Sequence, residues 1–429
     1  MPTPVPAAPP QTRASVAGQF VRGSLGSGVA VGARAVGALV LNKLLAVYGG
    51  PGGLTLLAHF QNLLALFTAL PNDGVHVGTV KYLAPLRAGS GRYRAWLGAA
   101  VAFNALTLLL ATGLLLLAPG PLVGVFGQGL GWRLGFALGV GPLIGYSLLI
   151  NVLLAAGRLR AYVVLTVGLS MLAPAVVAGA LLTGAGVPAA LLAYLLTQGT
   201  LVVPAGWVAY RAGLWSRLRG RLSPAALRGL GRFVLMALSV VLFGKAVDFV
   251  LRDVLVARFG LGRTDLWQAV AKLSDNYTMA FAALMSSVYY PRLAALTTQP
   301  AALRQYVRTV LLLLAPLLAA GFGLLYGLRD WLLPLLFEPR MAAARDLLGP
   351  QLIGDWARFL SWALILLLTA RAQVGRYVAV QVSASVMYVG LLALLVPRYG
   401  LLGAPLAYAV HFLLLLLGCG VYFRADWRS

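Results

Sequence analysis

Long apolar runs, interrupted at short intervals by glycine, proline and basic residues, set the character of this chain. Runs near 25–47, 55–85, 93–117, 132–156, 161–183 and 187–210 form one series. Runs near 230–257, 266–297, 303–327, 350–371, 376–396 and 400–423 form a second. Each exceeds or approaches the roughly 20 apolar residues that a helix needs to cross a bilayer. Turn formers separate them, among them Gly49-Gly50-Pro51-Gly52-Gly53, Ala118-Pro119-Gly120-Pro121, Gly184-Ala185-Gly186 and Pro397-Arg398-Tyr399-Gly400. The pattern predicts an all-α polytopic membrane protein with twelve transmembrane helices, six in each series.

The two series repeat one another. An offset of 211 positions maps Arg34 onto Lys245, Lys81 onto Arg292, and the Tyr48-Gly49 corner onto Phe259-Gly260. Slightly larger offsets place Leu191-Leu192-Ala193-Tyr194 over Pro405-Leu406-Ala407-Tyr408, and Tyr162 over Tyr377. An even number of spans per half gives both halves the same orientation, related by an axis along the membrane normal. The expected architecture is two pseudo-symmetric six-helix bundles around a central cavity, with cargo bound between them. We divide the chain into a disordered cytoplasmic tail (1–17), an N-terminal bundle (18–211), a basic amphipathic cytoplasmic linker (212–229) and a C-terminal bundle (230–429).

Composition agrees with this class. The 429 residues are 60% hydrophobic and only 10% charged, with mean hydropathy +0.87, whereas a soluble domain is about 25% charged. The net charge of +24 would point to nucleic acid in a soluble protein. Here it follows the loops. Arginines and lysines in one alternating set of loops and termini (Arg13, Lys81 to Arg94, Arg158/Arg160, Arg211 to Arg232 and onward) outnumber those of the other set by 21 to 7. By the positive-inside rule both termini are cytoplasmic, and no nucleic-acid partner is implied. The single cysteine, Cys419, excludes disulfides and a cysteine metal cluster.

Charges inside the spans are the candidate chemistry. An ionised side chain at mid-bilayer costs roughly 2.5–3.5 kcal/mol even on the lenient scale, so it ordinarily faces an internal cavity. Arg34 and Lys245 are the matched pair, and Lys245, Asp248 and Arg252 share one helical face by their spacing. Lys272/Asp275 and Asp355/Arg358 read as self-neutralising pairs. The second span gathers His59, Gln61, Asn62, Asn72, Asp73, His76 and Lys81 around Pro71. Those groups either satisfy the backbone of a proline-kinked helix or include a titrating Asp73 or His76. The eighth span offers Trp267, Gln268, Asn276 and Tyr277, suited to stacking on sugar faces or to an interfacial belt. Candidates for binding the phosphate oxygens of an anionic cargo are Arg34, Lys245, Arg252 and Lys81. Those for glycan contact are His59, Asn62, Trp267, Gln268 and Tyr277, and those for coupling are Asp73, His76, Asp248 and Asp275. No P-loop, H-E-x-x-H or G-x-S-x-G pattern occurs, so neither enzyme, metal nor cofactor is called for.

Several runs resemble Wzx-type flippases over roughly residues 20–424. They are Leu41-Asn42-Lys43-Leu44-Leu45-Ala46-Val47 with Gly50-Pro51-Gly52-Gly53-Leu54, Gly78-Thr79-Val80-Lys81-Tyr82-Leu83, Phe233 to Leu238, Leu266-Trp267-Gln268-Ala269-Val270, Leu273-Ser274-Asp275-Asn276-Tyr277, and Gln351-Leu352-Ile353-Gly354-Asp355. The resemblance implies the multidrug/oligosaccharidyl-lipid/polysaccharide exporter superfamily and its fold. It further implies movement of an undecaprenyl-pyrophosphate-linked oligosaccharide, such as an O-antigen or enterobacterial common antigen unit, to the outer leaflet of the bacterial inner membrane. A polysaccharide polymerase and a chain-length regulator are its implied partners, and the chain is expected to act as a monomer. A drug/cation antiporter of the same fold and a lipid II-type flippase are the alternatives. A membrane glycosyltransferase or polymerase would want large outward loops or an acidic cluster.

Overall fold

Glycines at positive φ reverse the chain where the sequence breaks between apolar runs: Gly50 (φ 66) and Gly52 (φ 101) in the first half, Gly260 (φ 73) in the second. The computed structural model describes residues 13–83, 85–117, 124–126, 129–214, 223–297, 299–371 and 373–423. Residues 1–12 of the tail and 215–222 of the linker lie outside the described residues.

Twelve membrane-scale helices are present among the described residues. The first six are α1 (Arg13–Val47), α2 (Gly53–Leu83), α3 (Gly91–Leu117), α4 (Leu130–Ala155), α5 (Leu159–Leu182) and α6 (Val187–Arg211). In the second half, α7 (224–259) and α8 (261–295) meet at Gly260, followed by α9 (Pro300–Gly327), α10 (Arg345–Ala370), α11 (Val374–Tyr399) and α12 (Gly403–Tyr422). Eight stretches, one holding both α11 and α12, are long and apolar enough to cross a membrane by themselves. The boundaries fall close to those predicted. The clearest departure is α1, which starts at Arg13, ahead of its apolar run.

Pro71 does not break α2. Proline removes one N–H from the helical ladder, and α2 accommodates the loss by widening into a π-helical turn, Leu70–His76. The matching helix of the second half has its own π-turn, Met285–Tyr289, just before Pro291. A third, Val241–Lys245, interrupts α7. Repetition of this irregularity in α2 and α8 supports the duplication more strongly than any single residue match.

Helix pairs repeat as well. In the first half α1 packs on α5 and α4 on α6; in the second, α7 meets α11 and α10 packs on α12. Small residues set these approaches. A Cβ on Gly139 of α4 would lie 2.8 Å from Leu195 of α6, and one on Gly354 of α10 only 2.4 Å from Tyr408 of α12. Each half has its own apolar core, giving two lobes. At the seam the cores trade members: Leu230 and Phe249 of α7 complete the first, and Ala46 and Leu54 of the α1–α2 corner complete the second.

Candidate functional site

The lobes meet along α2, α7 and α8, and this seam collects much of the intramembrane charge. Arg252 of α7 is buried there, 7% exposed. Its Nε donates to Gln268 Oε1 of α8 at 2.8 Å, and one terminal nitrogen reaches the Ala58 carbonyl of α2 at 3.4 Å. The Trp267 ring lies 5.7 Å away. His59 sits one residue beyond Ala58, buried, its ring 4.4 Å from Phe249 and its Nδ1 without a protein partner. The carboxylates of Asp248 and Asp275 act electrostatically on Arg252. Six of the sequence candidates (His59, Asp248, Arg252, Trp267, Gln268 and Asp275) thus belong to one neighbourhood.

One turn along α8, buried Lys272 donates to Gln61 Oε1 of α2 and pairs with Asp275 at 3.7 Å. Gln61 and Lys272 are separated by the repeat offset of 211. Residues related by a two-fold axis touch only beside that axis, so this bond marks where it runs. Lys272/Asp275 is the self-neutralising pair expected from spacing, but its lysine also joins the lobes. Arg252 and Lys272 stand against Asp248 and Asp275, which makes these four groups neutral together. The cationic excess expected of the cavity therefore depends on Arg34 and Lys245. Lys245 closes the α7 π-turn, and its side chain lies outside the described residues.

The other candidates lie elsewhere. Arg34 projects from α1 to α5, its terminal nitrogen 3.3 Å from the Tyr162 hydroxyl. Lys81 is exposed over the Tyr82 and Phe233 rings, 23 positions from Ala58, or roughly 35 Å along the helix; it is no partner of Arg252. Asp73 is exposed on the α2 π-turn. His76 is buried in the first lobe with its Nε2 3.1 Å from Asn104 Nδ2. Asn62 Nδ2 is buried without a partner. Tyr277 is committed to protein: its hydroxyl donates to Asp355 in the second lobe. That carboxylate is fully buried and also accepts from Ser274 at 2.7 Å and Tyr408 at 2.8 Å, with Arg358 at 3.9 Å. The Asp355/Arg358 pair expected from spacing is present, and the hydroxyls contribute most of its contacts.

Sequence reasoning missed one further element, Asp265. Helix α2 starts at Gly53 with no side-chain cap of its own, leaving N–H groups without intrahelical acceptors. Asp265 of α8 supplies the cap from the other lobe. Its Oδ2 accepts the Gly52 N–H at 2.6 Å, and its Oδ1 accepts the Thr55 N–H at 2.8 Å and the Thr55 hydroxyl at 2.7 Å. A carboxylate at a helix N-terminus is favoured by the helix dipole as well. Arg340 lies 3.6 Å from the same carboxylate and donates to the Gly50 carbonyl at 2.9 Å. Lys43 adds a bond to the Leu335 carbonyl. Gly52 has to be glycine, since a Cβ there would stand 2.7 Å from Leu261. These bonds latch the lobes together at the α1–α2 turn. The available signal was an acid directly after the α7–α8 turn, in a chain with only ten acids.

Solved structures share the overall fold over nearly the whole chain. An inward-facing multidrug resistance MATE family transporter of the MOP superfamily superposes with TM-score 0.74, at 13% identity, over 92% of this chain and 94% of that one. The outward-facing form of such a transporter gives 0.68, at 14% identity, over 95% of each chain. The chain has the MATE fold. Lipid II flippase MurJ in an inward closed conformation shares it too, with TM-score 0.66 at 14% identity over 94% of this chain and 89% of MurJ. In sequence the chain is 28% identical over 412 residues to the lipid III flippase of Escherichia coli (strain K12), covering 91% of this chain and 94% of that protein. No protein-family model matches. These proteins are flippases and transporters rather than enzymes, and this chain shares their fold and carries eight stretches long and apolar enough to cross a membrane.

Proposed function

We propose that the chain is an inner-membrane flippase for an undecaprenyl-pyrophosphate-linked oligosaccharide, working by alternating access of its two lobes. The observation that carries this reading is Arg252. A guanidinium buried on the seam, held by an amide and a carbonyl rather than paired directly with an acid, can turn its fork to phosphate oxygens. The end-to-end likeness to a lipid III flippase supports the same cargo class. Arg34 and Lys245 supply the remaining positive charge for the pyrophosphate. Trp267, Gln268 and His59, buried around Arg252 in this form, become available to the first sugars when the lobes part, and the polyprenyl chain stays in the bilayer. The nearby charges of Asp248 and Asp275 limit the cost of burying Arg252 and Lys272 while the cavity is empty.

The positive-inside orientation puts the α1–α2 turn, and with it the Asp265 latch, at the periplasmic face. The latched form is then closed outward and ready to load from the cytoplasmic leaflet. Opening the latch after loading exposes the cargo to the outer leaflet.

Ligand stabilisation separates this reading from its rivals. Undecaprenyl pyrophosphate is expected to raise the melting temperature of the detergent-solubilised wild type, and Arg252→Gln to abolish the shift, measured against that variant's own melting temperature without ligand. Stabilisation by cationic dyes with none by undecaprenyl pyrophosphate would instead favour drug/cation antiport. A lipid II-type cargo would be indicated by a shift that only a muropeptide headgroup produces.

A further inference from the structure

A second basic feature lies outside the cargo path. The first half of α7, Pro224–Val240, crosses onto the first lobe, where Gly229 meets the Trp96 ring and Gly231 meets Phe103 of α3. Beside that crossing is a groove of about 460 Å³ lined by Phe103, Gly231, Val234, Leu235 and two arginines, Arg228 and Arg232. That volume lies within the usual range of small-ligand sites. The arginines are one helical turn apart, both exposed, with Cβ atoms roughly 5–6 Å from each other. Neither has an acidic partner among the described residues. Two unpaired guanidiniums repel one another in this position, while the groove floor running from them is apolar and Leu235 is 68% exposed.

We propose that this groove binds an anionic phospholipid of the bilayer, its phosphate between Arg228 and Arg232 and an acyl chain along Phe103, Val234 and Leu235. Charge complementarity selects the occupant. The positive-inside orientation places Arg228 and Arg232 in the cytoplasmic leaflet, and basic pockets between transmembrane helices on that side are suited to acidic headgroups. The groove joins α3 of one lobe to α7 of the other, so its shape changes when the lobes rock. A lipid held there therefore favours one conformation over the other. The proposal depends on the membrane orientation and not on the identity of the cargo.

Native mass spectrometry of the full-length protein in mild detergent tests it, with dioleoyl phosphatidylglycerol and dioleoyl phosphatidylcholine as competing probes. We expect a phosphatidylglycerol adduct that survives collision energies which strip phosphatidylcholine. Arg228→Gln/Arg232→Gln should lower the bound fraction roughly tenfold or more, at about 1 kcal/mol per arginine. Arg158→Gln/Arg160→Gln, an exposed pair at the α4–α5 turn, should leave it unchanged. Equal retention of the two lipids, or equal loss in both double variants, would overturn the site. So would displacement of phosphatidylglycerol by undecaprenyl pyrophosphate in wild type but not in Arg228→Gln/Arg232→Gln, because the groove would then belong to the cargo. Unchanged melting of both double variants confirms that any loss is local.

Discussion

Asp265→Ala is expected to spring the lobes apart at the α1–α2 turn. The substitution leaves the Gly52 and Thr55 N–H groups without acceptors and removes one of the two carboxylates beside Arg340, whose pair with Glu338 remains. Loss of a helix cap costs about 1 kcal/mol, and hydrogen bonds to a charged group contribute about 1.5–3 kcal/mol. Arg340 keeps its bond to the Gly50 carbonyl, so a net loss of about 3 kcal/mol is reasonable, equivalent to roughly 100-fold in the ratio of latched to unlatched forms. Leu261, which packs on Gly52, reports on this directly. In a Cys419→Ser background, Leu261→Cys should react with a membrane-impermeant maleimide one to two orders of magnitude faster when Asp265 is alanine. Asp265→Asn, which retains an acceptor oxygen, should fall between. Equal labelling rates in all three backgrounds would mean that Asp265 does not hold the lobes together.

Asp355→Ala is expected to have the largest effect on stability. It strips the shared acceptor from Ser274, Tyr277 and Tyr408 and leaves Arg358 without its carboxylate. Removing one partner from a buried charged network costs about 3–5 kcal/mol, since the remaining donors stay buried and unsatisfied. The network ties α8 to α10 and α12, so the second lobe as a whole should soften. The melting midpoint in detergent should fall by on the order of 10 °C. Asp355→Asn preserves shape and one acceptor and should lose less. A midpoint within 2 °C of wild type for Asp355→Ala, judged against roughly the shift of a 1 kcal/mol change, would show that the hydroxyls find other partners.

Most of the architecture was legible in the chain because a bilayer leaves few options. Backbone groups in hydrocarbon must be bonded within helices, so apolar runs and turn residues nearly fix the spans. The duplication was also legible, through Arg34 and Lys245 and through the glycine corners. Within the site, periodicity grouped Asp248 with Arg252 on α7, and composition drew attention to Trp267 and Gln268 on α8. What remained hidden depends on contacts between lobes. Nothing local distinguishes Asp265 from a solvated loop acid until α2 is seen to begin uncapped beside it. Spacing made Lys272/Asp275 a local pair, yet Gln61 of the other lobe is what gives the lysine its place. Tyr277 looked like a sugar platform because its hydroxyl partner, Asp355, lies 78 residues away. Lys81 matched Arg292 in the repeat but stands near the far end of α2, where the basic loops of the positive-inside pattern are found.

The central claim is that a pyrophosphate headgroup passes through the seam at Arg252. Its most direct test is flipping of a fluorescent undecaprenyl-pyrophosphate oligosaccharide in proteoliposomes, read as protection from a membrane-impermeant quencher. Wild type should move the lipid between leaflets. Arg252→Gln, reconstituted to the same level, should lose roughly 1.5–3 kcal/mol of charged contact to the headgroup, or about 10- to 100-fold in rate. Flipping by Arg252→Gln at the wild-type rate would contradict the account.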